Sequence, residues 1–543
     1  MSTSLRRGRW LALAAAAAAL LALPAAGVPK SSGPAETTLA HLSQAVAVGY
    51  WASHPEQAPA EVRGRLARLR KQGQAASTPP AVAQAAAAPF NLDSVGFPQN
   101  EESVTVCHGT NTVLGGTNDY RGLLEAVPSI PVGWHLSTDG GTSVAKEGFL
   151  PPVQIAGNPT PSGGDPVQAA DDSCNLFSSS LNYNFFDPFF SPNGIGVYKS
   201  DPATIASCAG GSDPACWPVR RAVAESAPNH FLDKEWFDVG VSGRAGEVVW
   251  VVYSDFNFAP ANPDLPFTAS IFAVRCDAAL VACTSPILIS GGDQDIQFGD
   301  VTIGPDGRTY ITWSQIQGEL EGTPQTFIHK LRVAQAGSTN FGPTRIIATE
   351  DEPLAFGGFL HANDFRNATY PKHEVVMVGG GPRIFVTWDG CSHRLFGSIC
   401  EEPVIKLRYS DNSGATWSPV SVLSQGGDNY FPTIGGDSSS SRLAVAWYTN
   451  RFDPTFHNRQ DVELVSINPS TAAVTKRQRL TSASNETEAD PLLGGFFIGD
   501  YFEVATDAGS AYVHFNANYR QVAVLGEGVP IPQQDNFLSK AGL

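Results

Sequence analysis

Basic residues are scarce in this 543-residue chain: 35 Lys and Arg stand against 52 Asp and Glu, giving a formal net charge of −17 and a pI of about 5.1. Neutralising phosphates needs a basic face, so nucleic acid is excluded as a partner. CxxC and HExxH patterns are missing, and histidines such as His108, His361, His373 and His514 are scattered, so no zinc-hydrolase reading gains support. There is also no GxSxG elbow and no Walker loop, which removes the usual signals of esterase and nucleotide chemistry. Beyond the N-terminus no run of 18 or more apolar residues occurs, so the mature chain is expected to carry no transmembrane segment.

The N-terminus passes from Arg6, Arg7 and Arg9 into an apolar block, Trp10 to Leu23, and then Pro24-Ala25-Ala26-Gly27. This predicts a signal peptide over residues 1–26 and export to the periplasm or the medium. In that oxidising setting the eight cysteines are expected to form disulfides. Cys208 with Cys216, Cys276 with Cys283, and Cys391 with Cys400 are three close pairs. Cys107 and Cys174 remain, and would join two neighbouring repeats.

Helical spacing at Leu39, Leu42, Val46 and Val48, then Val62, Leu66 and Leu69, predicts a short helical segment over 35–73. Residues 74–90, rich in Ala, Pro, Gln, Ser and Thr, read as a flexible linker. From residue 91 to 543 an extended apolar run, a Gly or polar turn and a second alternating run recur, with 53 Gly and 40 Pro supplying the turns. The clearest copies are Asp300 to Trp313 and Phe431 to Trp447. Others are Thr105 to Asn118, Pro166 to Asn182, Trp236 to Tyr253, Val375 to Trp388 and Tyr501 to Phe515. Such hairpins cannot bury both faces alone, and a ring of them can. The expected fold is all-β: a β-propeller of about seven four-stranded blades, with six as the alternative.

Ser410-Asp411-Asn412-Ser413-Gly414-Ala415-Thr416-Trp417 and Ser137-Thr138-Asp139-Gly140-Gly141-Thr142-Ser143-Val144 resemble the Asp-box, Ser-x-Asp-x-Gly-x-Thr-Trp, of the sialidase (neuraminidase) superfamily. Asn412 replaces the Asp in the first, and Ser143-Val144 replaces Thr-Trp in the second. In this superfamily the motif is a turn between the two outer strands of a blade, so Ser137, Asp139, Gly141, Ser410, Asn412, Gly414 and Trp417 are expected to be structural. The resemblance further implies an enzyme that removes terminal sialic acid, using a Tyr/Glu pair, an Asp acid/base and three arginines on the sugar carboxylate. The early Arg-Ile-Pro signature is missing, and Arg383-Ile384-Phe385 lies inside the second strand of a middle blade, so those roles do not carry over residue by residue.

Gly-Asp or Asp precedes several first strands, at Asp165, Asp233, Asp300, Asp428 and Asp500, and an Asn/Asp-rich segment with arginine follows several second strands, at Arg121, Arg451 and Arg520. In an up-and-down blade both positions lie at one end, opposite the Asp-box turns. Arg121, Arg451 and Arg520, on blades one, six and seven, form a candidate clamp for a carboxylate or sulfate, with Asp165 and Asp300 on the same face. The alternative is that each arginine pairs with a nearby Asp to stitch the ring. Asp428 and Asp500, with Glu503, are candidate acid/base groups, and Tyr501 and Tyr430 candidate nucleophiles. Asp293 and Asp295 offer hard oxygens for Ca²⁺, although acidic turns are commonly just solvated, and no cofactor is otherwise required. Two readings stay open: a propeller that binds a glycan or an extracellular protein at its mouth, and a sialidase-type exo-glycosidase.

Overall fold

The computed structural model describes residues 42, 44–60, 62–67, 90–91, 97–124, 131–189, 191–262, 265, 267–293, 295–318, 324–353, 360, 363, 365–392, 394–395, 399–400, 402–437, 442–490, 492–493, 497–523 and 530–543. The expected signal peptide lies outside these residues, as does the expected linker except for Phe90. A helix, α1, spans Gln44–Ser53, and helical turns continue at 62–67.

Seven four-stranded antiparallel sheets follow, so the ring has seven blades, and each expected hairpin forms its blade's first two strands. Blades 1 to 6 occupy 99–149, 167–225, 230–288, 296–353, 372–422 and 429–479. Blade 7 takes three strands from 503–542 and its outermost from Phe90–Asn91, which pairs with Leu538 and Phe537 and closes the ring. Strand formation follows the alternation of the sequence: Thr268–Asp277 alternates half-buried and buried positions along most of its length. Second strands are buried along most of their length, and Trp313, Trp388 and Trp447, all fully buried, lie within three of them.

Every junction between blades carries a side-chain oxygen that accepts a backbone N–H from the next blade. Asp238 accepts from Ile303 (2.7 Å), Asp300 from His373 (2.9 Å), Glu374 from Gly436 (3.1 Å) and Glu503 from Val104 (2.9 Å). Asn118 accepts from Asp165 (3.0 Å), Asn193 from Leu232 (2.9 Å) and the Tyr448 hydroxyl from Asn516 (2.8 Å). The four carboxylates among them line an axial cavity of about 590 Å³ bounded by all seven first strands. All eight cysteines are paired as expected, and Cys107–Cys174 ties blade 1 to blade 2.

Both Asp-box-like segments are turns between third and fourth strands, with one hydrogen-bonding plan. Ser137 Oγ accepts from Gly141 N, as Ser410 Oγ does from Gly414 N, each at 2.9 Å. Asp139 Oδ1 accepts from the N–H groups of Thr142 and Ser143, and Asn412 Oδ1 from that of Thr416. Gly141 and Gly414 sit at φ of +84° and +79°, a region that other residues enter only with strain. Trp417 packs beside Gly414.

Burial pushes Glu374 and Glu503 up to about 8, far above an unfolded Glu near 4.3. A carboxyl group with a raised folded-state value stabilises the fold below its unfolded value, and that contribution is lost as pH rises through about 8. Thermal unfolding is therefore expected at lower temperature at pH 8 than at pH 5. The Glu374→Gln/Glu503→Gln variant, which keeps one acceptor oxygen at each position for the N–H of the next blade, should show a shallower decline by calorimetry. An equally steep decline would place the pH dependence elsewhere.

Candidate functional site

The first strands do not run straight. In blades 1, 3, 4 and 6 the pairing slips where one residue takes positive φ: Glu101 (58°), Lys234 (55°), Phe298 (60°) and Phe431 (49°). Asp165 (56°) and Gly499 (98°) hold similar conformations at the entries to blades 2 and 7. The bulges lie at the entry end of the first strands and re-aim their side chains, so that Lys234 lies over the Phe298 ring while Phe298 and Phe431 both stack on Tyr370.

The result is a cluster of charge at that end. Glu101, Asp165, Lys234, Arg366 and Asp500, from blades 1 and 3 and the entries to blades 2, 5 and 7, are all buried, none more than 7% exposed. Asp500 sits between the cations: Arg366 Nε donates to Oδ1 at 2.9 Å, while Arg366 Nη2 and Lys234 Nζ both donate to Oδ2. The Asp500 N–H donates to Glu101 Oε1 (3.1 Å), and Asn118 Nδ2 donates to Glu101 Oε2 (2.6 Å). Four tyrosines border the cluster. Tyr370 donates to the Asp500 carbonyl and Tyr501 to the Pro166 carbonyl (2.9 Å), while Tyr120 donates to Asn100 (3.4 Å) and Tyr183 to the Gly163 carbonyl (2.8 Å).

The carboxyl groups of this cluster are held in opposite states. Burial, then the Asp165 carboxylate beside it, raises Glu101 well above its ordinary value. Burial would also raise Asp500, but Arg366 and Lys234 outweigh it and hold that carboxyl below its ordinary range. A carboxyl pushed toward its neutral form thus stands beside one held toward its charged form, the division of roles that acid/base chemistry needs.

Asp165 and Asp500 therefore come together as the Gly-Asp recurrence predicts, and Tyr501 borders them. Asp300 faces the axial cavity, where Lys372 and His373 offset burial and bring it down to about 2. Asp428 accepts from Asn450 Nδ2 at 2.7 Å, and the Tyr430 hydroxyl donates to Gln460 at 3.0 Å within blade 6. Arg121 pairs with Asp119 (2.5 Å) and Arg451 with Glu463 (3.3 Å), each inside its own blade, and the Arg520 side chain lies outside the described residues. Asp293 accepts from the Lys330 ammonium, and burial raises Asp295 to about 6. Glu101, Lys234 and Arg366 escape sequence reasoning: no glycine marks the first two bulges, and Arg366 stands in a connection without strand pattern.

Fold and cluster together define a seven-bladed propeller with an acid-and-cation centre at one axial mouth. No family model matches the sequence, and no curated protein matches it. Among solved structures the chain is similar to a Hadza microbial sialidase, at 10% identity over 77% of this chain and 74% of the other, with a TM-score of 0.42. It is also similar to an α-L-arabinofuranosidase from Fusarium graminearum (12%, 71% and 98%, 0.42) and to the intramolecular trans-sialidase from Ruminococcus gnavus (12%, 85% and 99%, 0.37). The seven-bladed architecture stands on the chain's own sheet topology rather than on these distant likenesses.

Replacing Asp500 with Asn should leave two buried cations without their counter-charge, which costs about 3–5 kcal/mol. The expected outcome is a correspondingly lower unfolding midpoint in denaturant; a midpoint within error of the parent would mean that the cluster does not hold the blades at this end.

Proposed function

We propose that the protein is an extracytoplasmic propeller that binds an acidic glycan at the mouth formed by Glu101, Asp165, Lys234, Arg366 and Asp500. The observation that carries this reading is the convergence of charged side chains from five places in the ring on one axial point. An ammonium and a guanidinium there suit a sugar carboxylate, the guanidinium by planar two-point donation. Tyr183, Phe185, Phe189 and Phe231 pack together nearby, a wall suited to the apolar face of a pyranose ring. Arg121 and Arg451 would meet outer sugar units of a longer chain by exchanging Asp119 and Glu463 for the ligand. The signal-peptide pattern and the pairing of every cysteine support a location outside the cytoplasm. Recognition of this kind needs no cofactor, and the engagement of Asp293 by Lys330 weighs against a Ca²⁺ site at that turn.

A second reading, an exo-glycosidase of sialidase type, is favoured by the opposed states of Glu101 and Asp500. Glu101 would donate a proton to the leaving oxygen and Asp500 would act as the base. For Tyr501 to serve as nucleophile, its hydroxyl must leave the Pro166 carbonyl.

Titration calorimetry with N-acetylneuraminic acid, glucuronic acid and neutral galactose tests the first reading. Binding of an acidic sugar, weakened tenfold or more by Arg366→Lys with folding intact, is expected; preference for galactose would overturn it. Fluorogenic α-sialosides test the second, with Glu101→Gln expected to abolish any turnover.

A further inference from the structure

The described residues of 42–67 enter none of the sheets, yet they are buried: Leu42, Val46, Ala47, Val48, Tyr50, Trp51, Val62 and Leu66 are each 9% exposed or less. They belong to one apolar cluster with Tyr120, Leu123, Tyr183, Phe185, Phe189, Phe231, Leu492 and Leu493. These are residues of the mouth, because Tyr120 and Tyr183 border the charge cluster electrostatically as well, facing Glu101 and Asp165.

The fit is close. A Cβ placed on Gly49 would lie 2.4 Å from Phe185 Cε1, so helix α1 rests on that ring at a distance only glycine permits. Tyr50 meets Phe189 edge-on with centroids 5.6 Å apart. Arg65 donates to the Leu492 carbonyl at 3.3 Å. Most directly, Arg366, whose Nε and Nη2 are both on Asp500, turns Nη1 to the Leu42 carbonyl at 2.6 Å. A backbone oxygen of the segment thus occupies the face of the guanidinium that points out of the cluster.

We propose that residues 42–67 are an intramolecular plug of the propeller mouth, and that the Leu42 carbonyl holds the place on Arg366 that a sugar carboxylate takes once the plug leaves. The ligand class rests on the function proposed above; the plug does not. With no strand pairing to the blades among its described residues, the segment is held by side-chain packing and a few polar contacts, and it can depart without opening a sheet. Its departure uncovers Arg366 and the wall of Tyr183, Phe185 and Phe189 together, which places cation and aromatic surface side by side for an acidic sugar.

The test compares the full chain with its Gly49→Leu variant, in which the added side chain must displace either helix or ring. Hydrogen exchange is followed over 44–67 and, as a reference, over the blade 3 strand Glu247–Asn257, together with calorimetry using N-acetylneuraminic acid. The expected result is faster exchange in 44–67 alone, with at least tenfold tighter binding. Tyr50→Ala, which removes the contact with Phe189 without adding bulk, should act in the same direction to a smaller extent and serves where Gly49→Leu fails to fold. Acceleration of 44–67 and the blade together, in both variants, would overturn the plug by making the segment part of the propeller core. Release of the segment with blades intact and no gain in binding would instead overturn the acidic sugar as the ligand.

Discussion

One constraint recurs around the ring: where two blades meet, a backbone N–H is taken out of water and needs an acceptor from the neighbouring blade. A buried amide left without an acceptor costs on the order of 1–3 kcal/mol, and the seven junctions each supply one. Four of the seven acceptors are carboxylates on first strands, turned into the axial cavity. Because those carboxylates are buried around the axis, it becomes a place of high charge density and perturbed protonation. The mouth cluster carries the same logic one step further, with bulged strands bringing charges of both signs into mutual contact.

Saturation of that cluster says what it can and cannot do as it stands. Both Asp500 oxygens are engaged, Glu101 accepts on both of its own, and the outward nitrogen of Arg366 is occupied by Leu42. A ligand arriving at this end must replace a protein contact rather than fill a void. An oxygen acceptor that replaced the Leu42 carbonyl would keep the hydrogen bond of Arg366 Nη1 made.

Much of the scaffold was legible in the sequence. All seven hairpins are where alternating apolar residues and Gly, Asp and Ser turns place them, since a two-residue period and a turn chemistry are local properties. The two Ser-x-Asp/Asn-x-Gly segments are likewise local, and their side chains are spent on their own turns. Cysteine spacing worked for the same reason in three pairs, and by elimination in Cys107–Cys174. The centre was only half legible. Asp165 and Asp500 carry a glycine flag, whereas Glu101 and Lys234 adopt left-handed conformations without one, held there by the packed ring rather than by their own preferences. Arg366 comes from an inter-blade connection whose sequence shows no period at all. The rim arginines Arg121 and Arg451 were legible as residues at the right end, but their partners, Asp119 and Glu463, depend on where the second and third strands bring them.

The strand Phe90–Asn91 has a further consequence. It is only two residues long, paired with Phe537 and Leu538, yet it is what makes the last blade complete. The covalent beginning and end of the ring are therefore a convention of the gene rather than of the architecture, since every other blade finishes with a fourth strand drawn from its own stretch of chain. A circularly permuted polypeptide, its ends joined and reopened in one of the connections between blades, would make the same seven sheets, with the helical segment relocated to an internal loop over the mouth.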